Sequence, residues 1–192
     1  MATAVEPQIH LWTRREYNQL AQIGMFTGKR VELIEGQVIV MSPMGSLHAT
    51  AIALAARALE PAFGPGYFTR WQMPFAIGER SEPEPDLAVI QGDVRDYVDD
   101  HPSIAALLVE VADTSLAYDR DTKGSLYAGA GVADYWIINL AARQLEVYRR
   151  PISEPSAAHG FVYGDKAIFR AGDTLSPLAQ SGALIKVADL LP

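Results

Sequence analysis

Two short stretches, Pro85-Asp86-Leu87-Ala88-Val89-Ile90 and Leu107-Leu108-Val109-Glu110-Val111-Ala112, decide how the rest of the chain is read. After the leading proline, each is a run of apolar, β-favouring residues with no turn residue inside it. That is the pattern of a strand buried on both faces, and each run carries one carboxylate. An ionised carboxylate in such a place needs a cation, hydrogen bonds or a shifted pKa. Two of them converging on one edge would make a site for a hard metal ion. The local pattern permits equally that Asp86 and Glu110 face solvent or pair with arginines.

Outward from these strands, the sequence alternates between sheet and helix signals. Upstream, Tyr67 to Ile77 reads as a further β segment, and Ser46 caps an alanine-rich helix to about Phe63 with His48, Ile52, Ala55 and Leu59 on one face. Before that, Val31–Ile34 and Gln37–Met41 flank Glu35-Gly36, a hairpin signal. Thr13 and Glu16 have capping-box spacing ahead of a stripe of Tyr17, Leu20 and Ile23 that ends at Gly24. Downstream, an irregular polar loop runs from Asp113 to Asp119, and a helix from Thr122 to Ala130 stops at Gly131. Strands follow at Asp134–Asn139 and Gln144–Tyr148. The remainder from Pro151 reads as a β-rich tail punctuated by Gly160, Gly164 and Gly172. The sum is a mixed α/β protein with a central mixed sheet flanked by helices, an added N-terminal helix and hairpin, and that tail. No repeat or linker divides it, so residues 1–192 are expected to form a single domain.

Composition narrows the chemistry. The 192 residues are 49% apolar, enough for one substantial core. No apolar run approaches the roughly 20 residues needed to span a bilayer, and MATAVEPQIHLW lacks the order of a signal peptide, so a cytoplasmic protein without membrane contact is expected. With no cysteine there is no disulfide, thiolate zinc site or cysteine nucleophile, and a metal would need oxygen or imidazole ligands, which points toward Mg²⁺. No glycine-rich phosphate loop, nucleophile elbow or zinc-protease helix is present, and no organic cofactor is implied. The formal net charge of −7 argues against a surface that coats nucleic acid nonspecifically, although a local basic face can coexist with it. Arg14, Arg15, Lys29, Arg30, Arg70 and Arg120 are the candidate phosphate contacts, against the commoner reading of a solvated charged surface.

Other side chains could join the two carboxylates. Lys123 opens the predicted helix with Tyr127 four residues on and so on the same face. A surface lysine is the usual explanation; the functional one is an ammonium aimed at the carboxylates, orienting water or stabilising a phosphorane-like charge. Glu32, within Val31–Ile34, is a third possible acidic ligand or a solvent-facing strand residue. His48 lies on an apolar stripe, where a hydrogen-bonded core histidine is commoner than a base. Tyr135 and Trp136 read as packing residues.

Taken in order, Val31-Glu32-Leu33-Ile34-Glu35-Gly36-Gln37, His48, Glu84-Pro85-Asp86, Val109-Glu110-Val111, Asp119-Arg120-Asp121-Thr122-Lys123, Tyr127, Gly131-Val132 and Asp134-Tyr135-Trp136 resemble the Uma-type restriction endonuclease family, part of the PD-(D/E)XK nuclease superfamily. The resemblance covers roughly positions 10 to 150. It implies a restriction-endonuclease-like core and Mg²⁺, with Mn²⁺ as a substitute, bound by Asp86, Glu110 and the Val111 carbonyl. It implies DNA as substrate and an endodeoxyribonuclease activity. The superfamily lysine normally stands two positions after the glutamate, where this chain has Ala112; in this family it is displaced to the next helix, the position that Lys123 matches. Glu32 matches the family's N-terminal acidic residue, while His48, Tyr127 and Asp119 match recurrent positions without an assigned step. A homodimer would suit cleavage of both strands of a duplex. A catalytically inactive interaction protein on the nuclease fold and a metal-dependent phosphoesterase on another substrate are the rival readings. Like-charge relief leads us to expect Asp86→Ala and Glu110→Ala to be at least as stable as the parent without metal.

Overall fold

The computed structural model describes residues 8–192, so the first seven residues of the N-terminal reading lie outside it. The chain forms two compact units, one of Met1–Pro43 with Ala76–Pro83 and the other of Met44–Phe75 with Glu84–Pro192.

In the first unit, α1 (Arg14–Gln22) starts at the expected capping box: the Thr13 hydroxyl accepts from the Glu16 N–H, and the Glu16 carboxylate accepts from the Thr13 N–H. The predicted stripe is only partly used. Tyr17 is buried and donates its hydroxyl hydrogen to the Val31 carbonyl at 2.9 Å, whereas Ile23 is 76% exposed at the C-cap. Strands β1 (Val31–Ile34) and β2 (Gln37–Val40) pair as the expected hairpin, and Glu35 and Gly36 at φ 48° and 78° give the left-handed pair that a two-residue turn of this type requires. The returning segment completes the unit, as Glu82 bridges Leu33 in the backbone and accepts from Arg14 Nε at 2.8 Å.

The second unit is built on a six-stranded sheet in the order β3-β4-β5-β6-β7-β8. Its strands are β3 (Tyr67–Trp71), β4 (Leu87–Gln91), β5 (Leu107–Ala112), β6 (Asp134–Asn139), β7 (Gln144–Ser153) and β8 (Phe161–Arg170). All neighbouring pairs are antiparallel except β5 and β6, whose parallel pairing requires a crossover. Alternation assigns the faces. Val109, Val111, Trp136, Ile138, Leu145 and Val147 pack with Ile52, Ala55 and Leu59 of α2 (Ser46–Phe63) in the main core. Glu110, Tyr135, Ile137, Glu146 and Tyr148 point to the opposite face, where the crossover helix lies and the Tyr127 and Tyr135 rings meet edge to face at 5.1 Å.

Four sequence expectations change here. Ser46 is the first helical residue rather than the cap, which is Gly45 and offers no side-chain bond. The β segment from Tyr67 ends at Trp71, because Gln72 turns to φ 50° and its N–H bends back to the Pro85 and Asp86 carbonyls. The polar loop ends early: helix begins with α3 (Leu116–Tyr118), widens through a π turn (Asp119–Lys123) and continues as α4 (Gly124–Gly129). The tail is largely the sixth strand of the sheet, and Gly164 lies inside β8 instead of breaking it. Beyond β8, β9 (Thr174–Leu175) and β10 (Ile185–Lys186) pair, and Val187 and Leu190 pack into the main core. Wholly buried Asp134 anchors this end, accepting from Trp136 Nε1, Arg149 and the Leu178 N–H.

Candidate active site

The two carboxylates meet where β4 stops beside β5. Leu87 pairs with Val109, and two residues further the same register would set Pro85 against Val111. Proline has no N–H to donate, so the ladder ends and the Val111 carbonyl receives nothing from that strand. The Val111 N–H turns instead to Asp86 Oδ2 at 2.8 Å, and the Asp86 N–H points at Glu110 Oε2 at 3.4 Å. Asp86 and Glu110 are 6% and 3% exposed, so solvent does not carry their charge. Glu110 lies within buried β5 as predicted, Asp86 is buried one residue ahead of β4, and both face the same side of the sheet.

Each acid has its own set of donors. Glu110 Oε1 accepts from Lys123 Nζ at 3.0 Å and from the Tyr127 hydroxyl at 2.7 Å. Lys123 is 2% exposed, which removes the surface-lysine reading, and Tyr127 is 0% exposed. The i, i+4 spacing of these two residues aims both at one oxygen. Asp86 Oδ1 lies 3.0 Å from His48 Nε2 and accepts from Gln72 Nε2 at 3.0 Å. Burial alone would raise the Asp86 carboxyl's pKa, but the bonds from His48, Gln72 and Val111 outweigh it and hold the group below its ordinary value. His48 is thus the partner of a carboxylate at the N-terminal turn of α2, not a core histidine. Asp119 is buried at the start of the π turn, where it accepts from the Ser115 hydroxyl at 2.5 Å while its carbonyl accepts from Tyr135.

Glu32 is wholly buried in β1 of the first unit, opposite Ile39. Among the six basic candidates, Arg14 is tied to Glu82, and Arg120 grips Glu146 through two bonds of 2.8 and 2.6 Å. Burial would raise the Glu146 carboxyl's pKa, but donors from Arg120, Asn139, Tyr148 and Gln144 pull it down to about 2. Arg15 and Lys29 are exposed and Arg30 half-buried. Arg70 is buried instead of solvated. Sequence reasoning missed Gln72; its signal would have been a polar residue ending a β run, which is not specific.

A metal ion would find an oxygen donor set here. Among the described residues no group of three or more His, Cys, Asp or Glu is gathered to hold one. An ion would therefore lean on two carboxylates, the Val111 carbonyl and water, a set that fits a hard cation such as Mg²⁺, which keeps several waters. Among the described residues no helix is long and apolar enough to cross a membrane.

The mixed sheet with helices on both faces is a nuclease-type fold. A crystal structure from Anabaena variabilis, described as a putative nuclease belonging to DUF820, superposes with a TM-score of 0.70 at 17% identity, covering 93% of this chain and 96% of the other. The family model for Uma2, described as "Putative restriction endonuclease", matches residues 14–184, and the chain belongs to that family. No curated protein matches it.

Proposed function

We propose that this protein is a metal-dependent nuclease that hydrolyses phosphodiester bonds of DNA at the Asp86–Glu110 centre. The observation that carries the reading is the convergence of two buried carboxylates with the Lys123 ammonium, 3.0 Å from Glu110, at a strand end that proline keeps unpaired. Groups of buried, mutually perturbing titratable side chains cluster at functional sites. Family membership and fold point the same way.

Asp86, Glu110 and the Val111 carbonyl would hold Mg²⁺ or Mn²⁺, which when bound lowers the pKa of water and offsets phosphate charge. The chain's own groups do the rest. His48 and Gln72 fix the Asp86 carboxylate through Oδ1, leaving Oδ2 with the single backbone donor from Val111. Tyr127 fixes Glu110, and Lys123 carries a positive charge that orients a water or meets a developing phosphate oxyanion. Glu32 joins the reading through its match to the family's N-terminal acidic residue, the whole chain acts as one cytoplasmic domain, and a homodimer presents two sites to a duplex.

The test is cleavage of supercoiled plasmid and of single-stranded DNA with Mg²⁺ or Mn²⁺, beside EDTA and Asp86→Asn. Cleavage that needs metal and disappears in Asp86→Asn establishes the activity and its site. Absence of cleavage together with absence of metal binding by calorimetry refutes it and favours a non-catalytic role. Tight metal binding without cleavage of either DNA points to another phosphoester.

A further inference from the structure

We propose that Arg70, with His101 beside it, forms an anion subsite next to the Asp86–Glu110 centre that receives a phosphate group of the substrate. The assignment of the anion to substrate rests on the nuclease reading above; the case for an anion does not. Arg70 is 9% exposed in the edge strand β3, and its hydrogen bonds go only to neutral acceptors. Nη2 reaches the Pro74 carbonyl at 3.4 Å and His101 Nδ1 at 3.3 Å, while Nε is sealed from solvent without a partner. Arg14, Arg120 and Arg149, also drawn partly into the protein, each sit on a carboxylate, at 2.8, 2.6 and 2.8 Å. No carboxylate comes within ion-pair distance of Arg70 among the described residues. Burial pushes its guanidinium below the ordinary range, the direction expected of a cation without a counter-ion.

Register places this cation beside the centre. Arg70 pairs with Ala88, so the next residue on that face of the neighbouring strand's line is Asp86, just before β4, and Gln72, just past the end of β3, touches it through its amide. Two residues along a strand span about 7 Å, and the contact with Pro74 shows the Arg70 side chain leaning that way. A guanidinium presents a planar fork that matches two oxygens of a phosphate, and with Nε covered the Nη edge is what remains to meet them. An oxyanion there would neutralise the charge. A structural role for Arg70, as a clamp on the 74 and 101 loops, would leave that charge uncompensated.

The experiment uses the full chain in EDTA at constant ionic strength, so neither metal nor cleavage enters. Inorganic phosphate and, separately, a short oligothymidine are titrated and followed by thermal melting and calorimetry, for the parent, Arg70→Met, Arg70→Lys and Glu110→Gln. Both probes should stabilise the parent, with affinity reduced about tenfold or more in Arg70→Met and less in Arg70→Lys, which keeps the charge but loses the fork. Without probe, Arg70→Met should melt no lower than the parent, since a structural clamp would lose stability and an uncompensated cation would not. Undiminished binding by Arg70→Met, or by Arg70→Lys if Arg70→Met does not fold, overturns the proposal, as does a parent that binds neither probe. Binding of phosphate but not of oligothymidine overturns the assignment to a nucleic-acid backbone. If Glu110→Gln keeps the response while no DNA is ever cleaved, the nuclease reading fails and the anion subsite stands.

Discussion

Replacing Glu110 by glutamine should destabilise the protein, the reverse of what like-charge relief suggests from sequence. The Lys123 ammonium and the Glu110 carboxylate are 3.0 Å apart with side chains 2% and 4% exposed. At an effective dielectric of ~20 their attraction is about 5 kcal/mol, and glutamine keeps a hydrogen-bond acceptor while discarding that charge. Breaking a buried pair from one side costs roughly 3 to 5 kcal/mol because the surviving ion has already lost its water. Lys123→Met should cost a similar amount from the other side. The double variant Glu110→Gln/Lys123→Met removes both ions, so it should be more stable than the sum of the single losses implies, by about 2 kcal/mol. Urea unfolding at neutral pH reads all four proteins, with the single variants displaced by about 1 to 2 M in midpoint. Single variants within about 0.5 kcal/mol of the parent, or strictly additive losses, would refute the claim that these charges hold each other.

Three other outcomes can be checked. Glu146 has its pKa drawn from 4.5 down to about 2, so the stability it contributes is fully present above about pH 4.5 and is lost as pH falls toward 2; Glu146→Gln should flatten that acid limb in urea melts near pH 5 and pH 3. Tyr127→Phe deletes a 2.7 Å bond to a buried carboxylate and should cost about 1.5 to 3 kcal/mol, with DNA cleavage falling further than a stability loss alone explains; unchanged melting would contradict the bond. Gly36→Ala puts a Cβ 2.6 Å from the Leu11 Cβ at a residue with φ 78°, so where an unstrained Gly→Ala change would stabilise, this one should cost more than ~1 kcal/mol and speed up hydrogen exchange in β1 and β2.

Much of this was open to inspection in the sequence where the determining interaction is local. The capping box at Thr13 and Glu16, the Glu35-Gly36 turn and the apolar runs around Asp86 and Glu110 each encode their conformation within a few residues. The partners of the two acids were less accessible. That His48 and Gln72 converge on one oxygen of Asp86 depends on pairings 38 and 14 residues apart, and no propensity reports them. Arg70 looked like any surface arginine until the face of β3 was fixed by its register with β4. Gly164 read as a break because glycine is a poor strand former alone, but nine residue pairs, flanking it on both sides, hold β8 to β7, and tertiary context decides. The early start of the crossover helix was hidden by a polar run that only a wide turn makes helical.

That wide turn makes the number of residues matter as much as their kind. Lys123 lies 13 positions after Glu110, and the π turn sets the phase at which α4 leaves it. Adding one more residue between Asp119 and Lys123, beyond the one the π turn already absorbs, would rotate everything after it by about 100° and slide it about 1.5 Å, carrying the Tyr127 hydroxyl off its oxygen. Point substitutions here can be graded, but an added residue is close to all or none, and the phase of α4 relative to Glu110 is the quantity that redesign of this crossover has to keep constant.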